Sequence, residues 1–112
     1  MKIPNSEGVI IAYAKLTEYL LVYQEQNDKS KFLAQAGFTQ DNPEELLLSI
    51  LQLIQTYDAV EDRQNEYGTF YQVEGDLQGP TKSLAVITIW LQPAIDGKFQ
   101  FVTLKPKRGK KQ

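Results

Sequence analysis

The sequence predicts an α+β fold: three N-terminal helices followed by a three- to four-stranded antiparallel meander, with the helices on one face of the sheet. Three observations predict it. The chain closes with three strand-like runs, Thr69–Gln78, Ser83–Leu91 and Lys98–Leu104, separated only by turn residues. The front half instead carries apolar residues at three- and four-residue spacing, the period of a helix face. The middle run, Ser-Leu-Ala-Val-Ile-Thr-Ile-Trp-Leu, is apolar at both parities, which predicts a strand covered on both sides.

Lys2–Asn5 reads as extended, because Pro4 disfavours helix in the residue before it. The first helix begins near Ala12, where Tyr13, Leu16, Leu20 and Tyr23 form one apolar stripe. Gln24–Asp28 is a polar loop. A short second helix over Lys29–Ala36 would bury Phe32, Leu33 and Ala36, and Gly37 suits the left-handed residue past its end. The third helix has the clearest start. Asn42 can cap, Pro43 suits the first helical position, and Glu45 stands where it can reach back to the Asn42 backbone N–H. Leu46, Leu47, Ile50, Leu51, Leu53, Ile54 and Tyr57 make this the central core helix.

Asp58–Asp62 is predicted as a short edge strand and Arg63–Tyr67 as a polar connection. In Thr69–Gln78, Thr69, Tyr71, Val73 and Leu77 share one side; Phe70, Gln72, Glu74 and Asp76 share the other. Gly75 is a candidate bulge. Gly79-Pro80-Thr81-Lys82 and Pro93–Gly97 are turns. Lys98–Leu104 then places Phe99, Phe101 and Thr103 opposite Gln100 and Val102. The organisation predicted is one domain over residues 1–104 and a basic flexible tail over 105–112.

Composition narrows the chemistry. The chain has 112 residues, 42% hydrophobic and 11% aromatic, which fits one globular domain rather than a disordered segment. It contains no cysteine and no histidine. That inventory excludes disulfides, thiolate metal sites, cysteine nucleophiles, Ser–His–Asp hydrolysis and His-dependent nuclease mechanisms within the chain. The segment from Met1 to Gly8 lacks an apolar stretch behind a basic start, and no apolar run approaches the roughly 18 residues needed to cross a bilayer. The expectation is a cytoplasmic protein without membrane contact. The net charge of −2 is unevenly spread. With the cations Lys105, Lys107, Arg108, Lys110 and Lys111 set aside, seven basic residues face fourteen acids, leaving −7 on residues 1–104. Such a body repels phosphate backbones unless its few cations gather on one face.

Four features invite a functional reading. Gly79-Pro80-Thr81-Lys82-Ser83 has neither the spacing of a phosphate loop nor a following helix, and reads as a hairpin turn. The acids Asp58, Glu61, Asp62, Glu66, Glu74 and Asp76 match no EF-hand spacing and read as surface carboxylates. No metal or cofactor site is predicted. Trp90, Tyr71, Phe99 and Phe101 are the candidate binding aromatics, either a stacking platform or, as period-two strand aromatics usually are, core. The basic tail could meet nucleic acid or an acidic partner, or fold back onto the acidic body.

Several segments, taken in order, resemble an uncharacterised bacterial domain family that is largely cyanobacterial. They are Lys15-Leu16 with Tyr19-Leu20-Leu21, Lys31-Phe32 followed by Gly37-Phe38, Tyr67-Gly68 with Tyr71, Gly75 with Gly79-Pro80, Ala85-Val86 leading to Trp90, and Phe101-Val102-Thr103. The resemblance covers residues 9 to 104. Members of that family occur as small stand-alone proteins and at the ends of longer secreted polymorphic-toxin proteins. The helices-then-meander order is similar to that of metal-independent ribonuclease toxins of the RelE and colicin types, an analogy of fold. Family members often carry a His in the loop before the Lys-Phe pair; here that loop reads Gln26-Asn27-Asp28-Lys29-Ser30-Lys31.

Two functions follow as expectations. The first is a non-enzymatic protein-interaction module of a toxin–antitoxin-like or conflict system, with a protein partner or a second copy bound through the sheet edge and aromatic face. The alternative is a metal-independent ribonuclease, which needs a base, an acid and a cation on the phosphate. Lys31, Tyr67, Lys82 and Lys98 are its candidate catalytic groups. The discriminating observation is whether those four converge.

Overall fold

In the computed structural model, which describes residue 3 and residues 9–21, 29–95 and 97–107, the sheet begins before any helix. Strand β1 (Val9–Ile10) runs parallel to the last strand, β5 (Phe99–Pro106), with Val9 beside Phe99 and Ile10 beside Gln100. Between them lie three short helices, α1 (Tyr13–Lys15, continuing as a π-helical turn over Leu16–Leu20), α2 (Ser30–Ala34) and α3 (Pro43–Thr56). Strands β2 (Ala59–Asn65), β3 (Gly68–Gln78) and β4 (Ser83–Pro93) follow. The order across the sheet is β1-β5-β4-β3-β2. This overturns the expectation of N-terminal helices ahead of a purely antiparallel sheet of three to four strands. The sheet is mixed and five-stranded, strand residues outnumber helical ones, and the helices sit between its first and second strands. Two apolar residues are too few to show a period of two, and a parallel partner some ninety positions away leaves no local trace.

The first helix is wider than its spacing suggested. Leu16, Leu20 and Leu21 are all buried, and the Leu21 N–H donates to the Leu16 carbonyl at 3.0 Å, five residues back. A π turn brings positions i, i+4 and i+5 onto one face. Tyr23, assigned to this stripe from the sequence, lies outside the described residues, as does the Gln24–Asp28 loop. Helix α2 ends as expected. Gly37 takes φ +95°, its N–H donates to Ala34 at 3.0 Å, and the Phe38 N–H donates to Leu33 at 3.2 Å. This pair of bonds is the Schellman arrangement, and Leu33 and Phe38 are both buried, as its accompanying apolar contact requires.

Helix α3 starts at Pro43 after Asn42, but the Asn42 side chain does not cap it. Its Oδ1 accepts from the Thr39 N–H at 2.8 Å and from the Thr39 hydroxyl at 3.2 Å, while its Nδ2 donates to the Gly37 carbonyl at 3.0 Å. The amide therefore ties the α2–α3 loop instead of closing a capping box. Leu46, Ile50, Leu53 and Ile54 are buried. Ser49, on the same side of α3, donates its hydroxyl to the Gln78 carbonyl at the end of β3.

Strands β2 to β5 run antiparallel in chain order. Strand β2 reaches Asn65, so Arg63–Asn65, read as a connection, belong to the ladder. Only Glu66 and Tyr67 form the turn, with the Tyr67 N–H donating to Asn65 Oδ1 at 2.8 Å. The register slips between Glu61 and Arg63, a bulge on an exposed edge strand. Gly75 is not a bulge: β3 pairs with β4 without interruption from Gly68 to Gln78. Its reason is room, because a Cβ there would overlap the Tyr57 ring. The irregularity of the last hairpin falls in β5, where Trp90 pairs with Phe101 but Ile89 pairs with Thr103. Val102 is the extra residue, so Leu104 rather than Thr103 joins Phe99 and Phe101 in the core.

All three helices turn their buried side chains toward one sheet face, formed by Val73 and Leu77 of β3, Leu84, Val86, Thr88 and Trp90 of β4, and Phe99, Phe101 and Leu104 of β5. Trp90 is fully buried, edge-on to Phe101 with ring centroids 5.3 Å apart. Its Nε1–H donates to Thr88 Oγ1 at 2.8 Å, and that hydroxyl donates to the Val73 carbonyl at 3.0 Å. The interior polar groups of β4 are thereby satisfied.

Candidate functional site

The expectation that β4 is covered on both sides does not hold. Ile87, Ile89 and Leu91 are only half-buried and lie outside the core, and no described element roofs them. Directly opposite pairs share a sheet face. Phe70 stands beside Leu91, Gln72 beside Ile89 and Glu74 beside Ile87, with Val60 of β2 beside Gln72 and Ile10 of β1 beside Gln100. Val60 is 66% exposed and Ile10 42%. Arg63 lies over the Phe70 ring, 4.7 Å from its centroid. The open face is therefore an apolar row along β4, widened by Phe70 beside Leu91 and flanked on its two sides by Gln72 and Glu74 of β3 and by Gln100, Thr103 and Lys105 of β5.

The two long margins of this face differ in charge. On the β2–β3 side, Asp58, Glu74 and Asp76 line a groove of about 500 Å³ together with Tyr57, Val60 and Lys107. Lys107 Nζ is 2.7 Å from Glu74 Oε2. The hydrogen bond to Glu74 and its charge, with Asp76 adding to them, hold the Lys107 ammonium above the usual lysine range. Lys105 and Pro106, assigned to a tail, are the last residues of β5, and the Lys107 N–H continues the ladder to the Ala85 carbonyl at 2.9 Å. Residues from Arg108 onward lie outside the described residues. Among the described residues, no three acids come together in a group able to hold a metal ion.

The β5 side is basic. Lys15 Nζ donates to the Val102 carbonyl at 2.8 Å, and Lys29 Nζ donates to Thr103 Oγ1 at 3.1 Å. Burial, reinforced by the charge of Lys105, pushes the Lys29 ammonium below its ordinary pKa. A shallow groove of about 550 Å³ runs beside them, lined by Ala14, Lys15, Glu18, Val102 and Thr103.

The residues singled out from sequence do not meet. Tyr67 and Lys98 lie at one end of the sheet, where the Ala94 N–H donates to the Tyr67 carbonyl at 3.2 Å. Lys82 is in the β3–β4 turn at the opposite end, and eleven residues of β4 separate the two ends, roughly 30 Å. Lys31 is on α2, whose end is joined to the β3–β4 turn by Thr81, donating from N–H to Ala36 at 2.9 Å and from its hydroxyl to Gln35 at 3.1 Å. The four thus divide between two ends and form no base–acid–cation cluster within hydrogen-bond reach. Of the four aromatics, Trp90, Phe99 and Phe101 are buried, and Tyr71 is half-buried with its ring 5.2 Å from Phe99. They build the core and offer no stacking platform.

Sequence reasoning missed the open stripe and the lysine-lined edge. The stripe was legible as the odd-numbered apolar residues of β4, but it was read as buried. Nothing local marks the lysines, since their partners are 87 and 74 residues away. The domain-of-unknown-function family DUF6883 matches residues 2–108. The chain belongs to that family. No curated protein matches it, and no solved structure does. Within the described residues of this DUF6883 domain, no helix is long and apolar enough to cross a membrane.

Proposed function

We propose that this DUF6883 domain is a non-enzymatic protein-interaction module, a small cytoplasmic bacterial component of a toxin–antitoxin-like or conflict system, that receives a protein partner on the open face of its sheet. The observation that carries the reading is the apolar stripe of Phe70, Ile87, Ile89 and Leu91, flanked by the exposed Val60 and Ile10. A row of large apolar side chains that no element among the described residues covers is the surface feature most often associated with docking. The scatter of Lys31, Tyr67, Lys82 and Lys98 leaves the ribonuclease alternative without a catalytic constellation. Placement in a conflict system draws its support from the family resemblance alone.

The test compares Ile89→Glu with Leu48→Glu. Leu48 is 61% exposed on α3, remote from the stripe, and serves as the control for an added surface charge. Gel filtration and affinity capture from the native host should recover a partner or a dimer with the parent chain and Leu48→Glu, but not with Ile89→Glu, while circular dichroism shows all three folded. Equal recovery with Ile89→Glu would remove the open face from the interaction. Growth arrest with RNA cleavage on induction would replace the proposal with an enzymatic one.

A further inference from the structure

We infer that the partner received on the open face is a second copy of this chain, packed face to face about a twofold axis that runs along β4. The inference rests on the docking role proposed above and names its occupant. Register sets the layout. Ile87 stands between Glu74 of β3 and Lys105 of β5. One level along, Asp76 stands beside Ala85, whose carbonyl accepts from the Lys107 N–H at 2.9 Å. One level the other way, Gln72 and Thr103 flank Ile89. Val73, Leu77 and Leu104 are buried on the helix side, so their strand neighbours Glu74, Asp76 and Lys105 point to the open side. At three successive levels, then, β3 supplies an acid or an amide and β5 a lysine or a hydroxyl.

That layout is self-complementary. A twofold axis parallel to β4 lays β3 of one copy over β5 of the other and keeps each level in place. Glu74 then faces Lys105 of the second copy, Asp76 faces Lys107 of that copy, and Gln72 faces its Thr103, each contact occurring twice. Ile87, Ile89 and Leu91 lie on the axis and meet their own counterparts, in the aligned packing of a β-sandwich. A twofold axis across the strands would instead set β5 on β5, lysine against lysine, which opposes binding. A strongly acidic or basic partner would be matched by a face of one sign; this face carries both signs, on opposite sides of an apolar row. Within one copy Lys107 already reaches Glu74 at 2.7 Å across β4, so these side chains lean over the row, toward the second copy. Both are about half exposed, and an ion pair of that kind is weak enough to exchange partners. Five strands and a β4 of eleven residues give a face of roughly 20 by 30 Å, the scale of the about 800 Å² that each partner buries in a standard interface.

The test is light scattering on the purified chain over a range of concentrations. It should show a monomer–dimer equilibrium that Ile89→Glu abolishes and Leu48→Glu leaves unchanged. Lys105→Glu and Glu74→Lys, both at exposed positions, should each weaken the dimer at least roughly tenfold, because each sets like charges together twice. An equimolar mixture of those two variants should recover the parental affinity, since each copy then offers the charge that the other lacks. Circular dichroism should show every variant folded. A mixture that associates no better than either variant alone, or a dimer that survives Ile89→Glu, would overturn the inference. So would a parent chain that stays monomeric at every concentration. If that monomer still captures another host protein and Ile89→Glu abolishes the capture, the docking role stands and only its occupant is wrong. A monomer that captures nothing removes both.

Discussion

Trp90 and Ile89 are neighbours on β4 and face opposite sides of one sheet. Trp90 is enclosed by helices and aromatic strand residues, with its indole N–H hydrogen-bonded to Thr88. Ile89 stands beside Gln72 on one side and Thr103 on the other, half-covered by the sheet itself. Equal apolarity thus has two destinations, one supplying folding energy and one left on the surface. Apolar residues at both parities show that both faces of a strand are apolar; they do not show that both are roofed.

The largest expected effect that tests this comparison is Trp90→Ala, which should destabilise by about 3–5 kcal/mol in urea unfolding, a large share of the stability of an ordinary domain. A cost below about 1 kcal/mol would mean that the helix-covered face is not the core. Next comes Thr88→Val. It preserves shape but strands the indole N–H in a buried site, and the midpoint of chemical denaturation should fall by the equivalent of about 1–3 kcal/mol. An unchanged midpoint would show that Trp90 finds another partner. Ile89→Ala, on the open side, should cost only about 1 kcal/mol or less. A loss as large as that of Trp90→Ala would break the comparison outright, because it would place Ile89 in a second covered layer.

The smallest effect concerns the margin of the open face. Lys107 is held above its ordinary pKa by Glu74, so its folded-state pKa exceeds the unfolded one. The stability it contributes is fully present below about pH 10.5 and is lost as pH rises through the raised folded value. Unfolding measured on either side of that alkaline window should show the parent losing slightly more than Lys107→Gln. Identical profiles would indicate that the pair contributes nothing in solution, the usual result for an exposed ion pair.

The sheet's architecture was not legible in the sequence, but several of its local elements were, because their signals act within a few residues. Gly37 past α2, Pro43 at the start of α3 and the turn at Gly79 to Lys82 all act within a few residues. The alternation of β3 likewise placed Val73 and Leu77 on the core side. The readings that failed depended on where separate segments meet. β1 was missed because its partner is β5 at the far end of the chain, and Gly75 was misread because its neighbour is the Tyr57 ring from the end of α3. Lys31, Tyr67, Lys82 and Lys98 were proposed as a set by residue type, and only the sheet showed that its full length divides them.

The sequence by itself determined the chemical inventory, without cysteine or histidine, and the local grammar of helix stops, the proline start of α3 and the hairpin turns, since those depend on the residue and its immediate neighbours. Tertiary structure alone decided which face of β4 is dry, that a two-residue strand closes the sheet in parallel, and that Lys15 and Lys29 meet the edge of β5. Those outcomes are contacts between residues tens of positions apart. Their energy exists only once the chain has folded back on itself, so no stretch of sequence carries them alone.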